Sequence, residues 1–121
     1  MSKIVKYVFY NNGGQNIERV TEINFESLKR NVMLNLYYAE MMKMKERATD
    51  VLGLIASDLW WECASKEQLL QNRIVIPHFE IMCMLATIYK DGLIETEETD
   101  GVCYVKLTAS GKEMCETDLS Q

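Results

Sequence analysis

Four cysteines and one histidine are the side chains of this 121-residue chain best suited to making and breaking bonds. Cys63, Cys83, Cys103 and Cys115 lie 20, 20 and 12 positions apart. No pair has the Cys-x-x-Cys spacing that sets two thiolates on one metal. A thiol redox sensor would need an exposed sulfur beside positive charge, whereas the alternative is four small hydrophobes, buried or half-buried. His78 and Cys83 are five apart, which on a helix turns them about 140° from each other and separates base from nucleophile. Glu80, near His78, is one carboxylate among 18 acidic residues and reads as a surface group. With no glycine-rich phosphate loop and no pattern of nucleophile, base and orienting group, the expectation is no enzyme, no catalytic residue, no metal and no cofactor.

The bounds set by size and charge agree with a non-catalytic module. A chain of this length with 48% hydrophobic residues can bury one core but not two, so a single domain over 1–121 is expected. The opening Met-Ser-Lys is not followed by a secretory h-region and cleavage site. No apolar run approaches the roughly 18 residues of a membrane span. The chain therefore reads as cytoplasmic, without a membrane partner.

Residues 1–50 must supply the platform. Lys3 to Tyr10 is β-branched and aromatic, and Asn11-Asn12-Gly13-Gly14 is turn chemistry, so a strand and turn are expected. Ile17 to Ile23 alternates as a returning strand, although Ile17, Val20 and Ile23 also fit a helical spacing. Asn24 suits an N-cap for one long helix reaching about Arg47. In that helix the run Val32 to Ala39 is apolar almost all the way round, which requires cover on more than one side. Either the N-terminal hairpin supplies it or a second copy does. In the second case Leu34, Tyr37, Tyr38 and Met41 form a homodimer interface.

The remainder reads as a series of short elements. Thr49 or Asp50 caps a helix from Val51 to about Cys63, with Leu52, Ile55 and Leu59 inward. The adjacent Trp60 and Trp61 cannot share a face, which puts at least one at a boundary. Ser65-Lys66-Glu67-Gln68 has the form of a capping box, predicting a further short helix with Leu69 and Leu70. Pro77 suits the first turn of another helix that ends at Asp91, with Gly92 in the left-handed position after it. Leu93 to Glu97 and Val102 to Leu107 then pair across an Asp100-Gly101 turn. A last short helix runs from about Lys112 to Leu119.

In this stretch the residues resemble the winged helix-turn-helix superfamily, in particular regulators of the MarR and PadR type. The resemblance rests on Ile81, Leu85 and Ile88 set eleven, seven and four places before Gly92-Leu93-Ile94, and on Leu107-Thr108-Ala109-Ser110-Gly111 closing the hairpin. It covers about the last 70 residues, 51–121. It implies a mainly α, α+β fold, a winged helix joined to an N-terminal β-hairpin or strand and a long helix. It also implies a dimeric DNA-binding transcription regulator whose second motif helix enters the major groove. The groove-side and backbone candidates are then Arg73, His78, Met82, Cys83, Thr87 and Lys106.

Charge pulls the other way. Residues 51–121 carry five basic and twelve acidic side chains, while 1–50 carry eight and six, for a net charge of −5. Glu95, Glu97, Glu98 and Asp100 crowd the wing, where they would face phosphates. The outward helix positions offer no arginine or lysine to grip guanine. The alternative is therefore an acidic winged-helix module that binds a protein partner through its Met, Cys and Ala face. A third possibility moves DNA to Lys3, Lys6, Lys29, Arg30, Lys43, Lys45 and Arg47, although the last three equally suit a helix C-terminus.

Overall fold

A computed structural model describes residues 2–67 and 73–119. The fold is α+β, four helices with two small antiparallel sheets. Strands β1 (Ser2–Tyr10) and β2 (Asn16–Asn24) form the expected hairpin, in register from Ser2 opposite Asn24 to Tyr10 opposite Asn16. At its turn the Asn11 side chain accepts from the Gly13 and Gln15 amides, the local bonding for which Asn is favoured in turns. Helix α1 (Phe25–Met41) starts where Asn24 caps it, its Oδ1 accepting from the amides of Glu26 and Ser27.

Helix α1 stops six residues before the expected end. Met42, Lys43 and Met44 close it in a Schellman motif: the Lys43 amide donates to Glu40 O and the Met44 amide reaches back to Ala39 O at 2.8 Å. Lys43 occupies the left-handed position at φ 58°, where glycine is usual. Nothing in the local sequence announces this stop, since glycine and proline are both absent. The chain then forms β3 (Glu46–Arg47) and enters α2 (Ala48–Glu67).

The capping-box expectation at Ser65 fails. Helix α2 passes through Ser65 because Ile55, Leu59 and Cys63 continue one buried stripe, whose far end, with Ala64, packs under Tyr7 and Phe9 of the hairpin. Leu69 and Leu70, assigned to the further helix, lie outside the described residues. Strand β4 (Arg73–Val75) pairs with β1, so the first sheet has the order β2-β1-β4. Helix α3 (His78–Lys90) follows Pro77, which stands just before the helix; its carbonyl accepts from the Glu80 amide. Strands β5 (Ile94–Thr99) and β6 (Val102–Leu107) form the hairpin expected as a wing, and β3 lies on the other side of β6, giving the order β3-β6-β5. Helix α4 (Ala109–Leu119) begins three residues early, because Thr108 caps it by accepting from the Gly111 amide.

The main core joins α1, α2, α3 and the wing through Val32, Leu36, Ile55, Leu59, Ile88 and Val105. Helix α1 is thus covered by α2, α4 and β6 as well as by the hairpin. A second cluster of Tyr7, Phe9, Cys63, Ala64 and Ile74 seals the hairpin onto the end of α2. Trp60 packs there, while Trp61, edge-on to it at 5.1 Å, faces solvent. Among the described residues no helix is long and apolar enough to cross a membrane.

Candidate interaction surface

Helix α3 owes its position to Ile81, Met84 and Ile88, which point into the core, with Leu85 half-buried beside them. Met84 takes an inward place that the sequence reading had given to Leu85. The opposite side carries Phe79, Met82, Ala86 and Tyr89, spaced 3, 4 and 3 apart, so they form one stripe along the helix. Phe79 is 74% exposed and Tyr89 53%. Large apolar groups normally gain ~1.5–3 kcal/mol on burial, so a contiguous exposed stripe is informative where a single exposed residue is not. Phe79 and Tyr89 were missed in the sequence, although their spacing from Met82 and Ala86 was there to find.

Beside the stripe runs a groove of about 210 Å³ between α3 and the wing. Met82, Leu85, Ala86 and Tyr89 form one wall, and Ile94, Thr96 and Val105 the other. Glu98 shares the groove face of β5 with Ile94 and Thr96 and Asp100 stands at the tip, while Glu95 and Glu97 lie on the opposite face, paired with Lys106. Asp100 and Gly101 turn the tip with φ of 52° and 78°, the paired positive angles of a type I′ hairpin.

The six expected nucleic-acid residues are not gathered on one surface. Met82 lies in the stripe and His78 is exposed at the start of α3. Cys83 and Thr87 are half-buried, and the Thr87 hydroxyl donates to Cys83 O at 2.8 Å within the helix. Arg73 lies on β4 in the other sheet, its guanidinium 5.8 Å from the Tyr10 ring. Lys106 Nζ sits 3.2 Å from Glu97 and 3.6 Å from Glu95. The bond to Glu97, then the two carboxylate charges, holds its pKa above the ordinary lysine value. That ammonium is already neutralised by its own wing.

The residues expected at a dimer interface divide in two. Leu34 and Tyr37 are half-buried against the core, while Tyr38 and Met41 are exposed. Tyr38 and Met41 adjoin Met42 and Met44, each more than half exposed, and the cations Lys43, Lys45 and Arg47. The Lys45 ammonium lies over the Tyr104 ring at 5.4 Å.

A cavity of about 550 Å³ lies between α1 and α4 and is bridged by the Arg30–Asp118 ion pair at 2.7 Å. Cys115, on its wall, is buried and donates to Met33 O at 3.5 Å, and burial foremost raises its pKa. Such a thiol is a poor nucleophile. Cys63 is fully buried and pushed up to about 11 by the same cause, whereas Cys83 is half-buried and Cys103 exposed. Among the described residues no three His, Cys, Asp or Glu side chains converge as a metal site.

Compared with known proteins, the chain matches no family model, no curated protein and no solved structure. Its functional reading rests on its own surface.

Proposed function

We propose that this chain is a winged-helix protein-interaction module, taking a basic and apolar segment of a partner protein between α3 and the wing. The observation that carries this reading is the exposed stripe Phe79, Met82, Ala86 and Tyr89 beside a wing that bears Glu98 on the groove face and Asp100 at its tip. The order α1, β3, α2, α3, β5 and β6, with β3-β6-β5 hydrogen bonding and with β4 between α2 and α3 given over to the other sheet, supports the winged-helix part. On this reading the winged helix runs from Phe25 to Leu107, with α1 as its first helix, rather than starting at Val51.

The same surface is poorly matched to DNA. Binding a duplex depends on cations placed against phosphates and on bidentate donors at base edges. The stripe presents two aromatic rings, a thioether and a methyl group. A protein surface with aromatic and methionine anchors and a charged rim has the usual anatomy of an interface.

The test is a pair of anisotropy titrations at low salt, one with a labelled Lys/Leu amphipathic peptide and one with a labelled random duplex. The peptide should bind and weaken as salt rises. Phe79→Ala should weaken it about tenfold or more, as expected for an aromatic anchor. Duplex binding as tight as peptide binding would overturn the proposal in favour of a DNA-binding regulator.

A further inference from the structure

Helix α4 meets α1 along a line that changes character from end to end. Near its start Gly111 allows an approach so close that a Cβ there would lie 3.2 Å from Met33 Cε. One turn on, the Cys115 thiol donates to Met33 O, and three residues further the contact passes to the Arg30–Asp118 ion pair. Beside this line one stripe from each helix faces the 550 Å³ cavity: Arg30, Met33 and Leu34 from α1, and Glu113, Met114 and Thr117 from α4. Side chains three and four apart share a helix face, so both stripes follow from spacing. We propose that this cavity binds a small organic cation with an apolar body, packed against Met33, Leu34 and Met114 and matched in charge by Glu113.

The first observation is size and lining. The volume falls within the range of about 300–1,000 Å³ usual for small-molecule sites. Met33 and Cys115 are buried and Leu34 half-buried, giving an apolar floor. Burial foremost raises the pKa of the Cys115 thiol, so the floor carries no thiolate near neutral pH. Methionine adapts to apolar bodies of irregular shape. Met114, on the wall, is 39% exposed, and an apolar ligand would cover it.

The second observation is the sign of the charge. Among the described residues Glu26, Glu113 and Asp118 line the cavity with one cation, Arg30. Asp118 already holds that guanidinium, and Glu26 is paired with Lys29 at 3.1 Å. Glu113 has no cation within ion-pair distance among the described residues. One uncompensated carboxylate therefore stands beside an apolar cavity. An anion would meet that carboxylate and find the guanidinium taken. A strongly polar neutral molecule would leave its own groups unpaired on the floor. An apolar body with one positive charge suits both. Attraction at an exposed carboxylate is modest, so apolar contact supplies most of the affinity and Glu113 selects the sign.

The experiment is isothermal titration calorimetry of the full chain with two ions of one shape and opposite charge, tetraphenylphosphonium and tetraphenylborate. The expected result is one tetraphenylphosphonium per chain, bound about tenfold tighter than tetraphenylborate at low salt, with the gap narrowing as salt rises. Glu113→Lys should reverse the preference, and Glu113→Gln should reduce it about threefold. Glu116→Lys makes the same change of net charge at an exposed position outside the cavity and should leave the preference in place. Circular dichroism checks that each variant is folded. The place of binding is read from the NMR signals of labelled methionine methyls. Those of Met33 and Met114 should shift on titration, while that of Met82 should not, since the cavity shares no lining residue with the groove beside α3. No binding of tetraphenylphosphonium overturns the inference, as does equal or tighter binding of tetraphenylborate, a preference that Glu113→Lys leaves unchanged, or shifts confined to Met82.

Discussion

Replacing Gly111 by alanine tests how the wing is anchored. A Cβ at this position would lie 2.1 Å from the carbonyl oxygen of Leu93, 3.1 Å from its carbon and 3.2 Å from Met33 Cε. The methionine tip can swing aside, but the Leu93 carbonyl cannot, because it is backbone and accepts from the Thr108 amide at 3.1 Å. Thr108 in turn donates through its hydroxyl to Gly92 O at 2.7 Å and caps α4. Relieving the clash means moving α4 off the base of the wing by about 1 Å, at the ~1–3 kcal/mol typical of overpacking. Losing the Thr108–Leu93 bond adds about 1 kcal/mol. The better helix propensity of alanine offsets about 1 kcal/mol. The balance is a loss of roughly 1–3 kcal/mol, equivalent to a Tm lower by about 4–12 °C for a domain of this size. Thermal unfolding followed by circular dichroism measures it, with Ser110→Ala at the exposed neighbouring position as the control. A Gly111→Ala protein melting at or above the wild type would refute the close approach of α4 to Leu93.

Lys43→Gly should raise stability by about 1 kcal/mol, read from the urea midpoint, because it removes the left-handed strain. At alkaline pH the two raised acids in the hairpin seal set the direction. Tyr7 donates its hydroxyl to Glu67, and burial, then that bond, hold its pKa well above the ordinary 10, while Cys63 is raised from 9 to about 11. Both are neutral in the folded protein and lose protons more readily in the unfolded chain. Their contribution is therefore complete below about pH 9 and declines as pH rises through 9–11 and above. Urea midpoints measured from pH 8 upward should fall across that window, and Tyr7→Phe should flatten the decline above pH 10.

Much of the fold could be read from local chemistry. The Asn24 cap, the turn at Asn11–Gly14, the end of α3 at Gly92 and the Asp100-Gly101 tip each depend on a few adjacent residues, and each is found where their types placed it. The misplaced boundaries depend on contacts made at a distance. Ser65 and its neighbours have the form of a helix start, but the packing of Cys63 and Ala64 under Tyr7 and Phe9 carries α2 past it. Lys43 ends α1 without any residue that marks a stop, because the main chain closes the helix unaided. At the candidate surface, Met82 and the wing carboxylates were visible in the sequence. Phe79 and Tyr89 could not be told from core residues because α3 is apolar on most of its sides, and the pairing of Lys106 with Glu95 and Glu97 needed the strand register.

The place of β1 between β2 and β4 bears on how the chain emerges during synthesis. Its hairpin with β2 closes through a short turn, but its pairing with β4 joins Val8 to Val75, 67 positions along. Closing so long a loop is slower than forming local contacts. The α2 residues that cover Tyr7 and Phe9 are also made late, at Cys63 and Ala64. A nascent chain therefore carries an apolar hairpin face from the completion of β2 at Asn24 until Cys63 and Ala64 have been made. The charges on the outer strand, Glu18, Arg19 and Glu22, lie where they discourage other strands from adding to that edge during the wait.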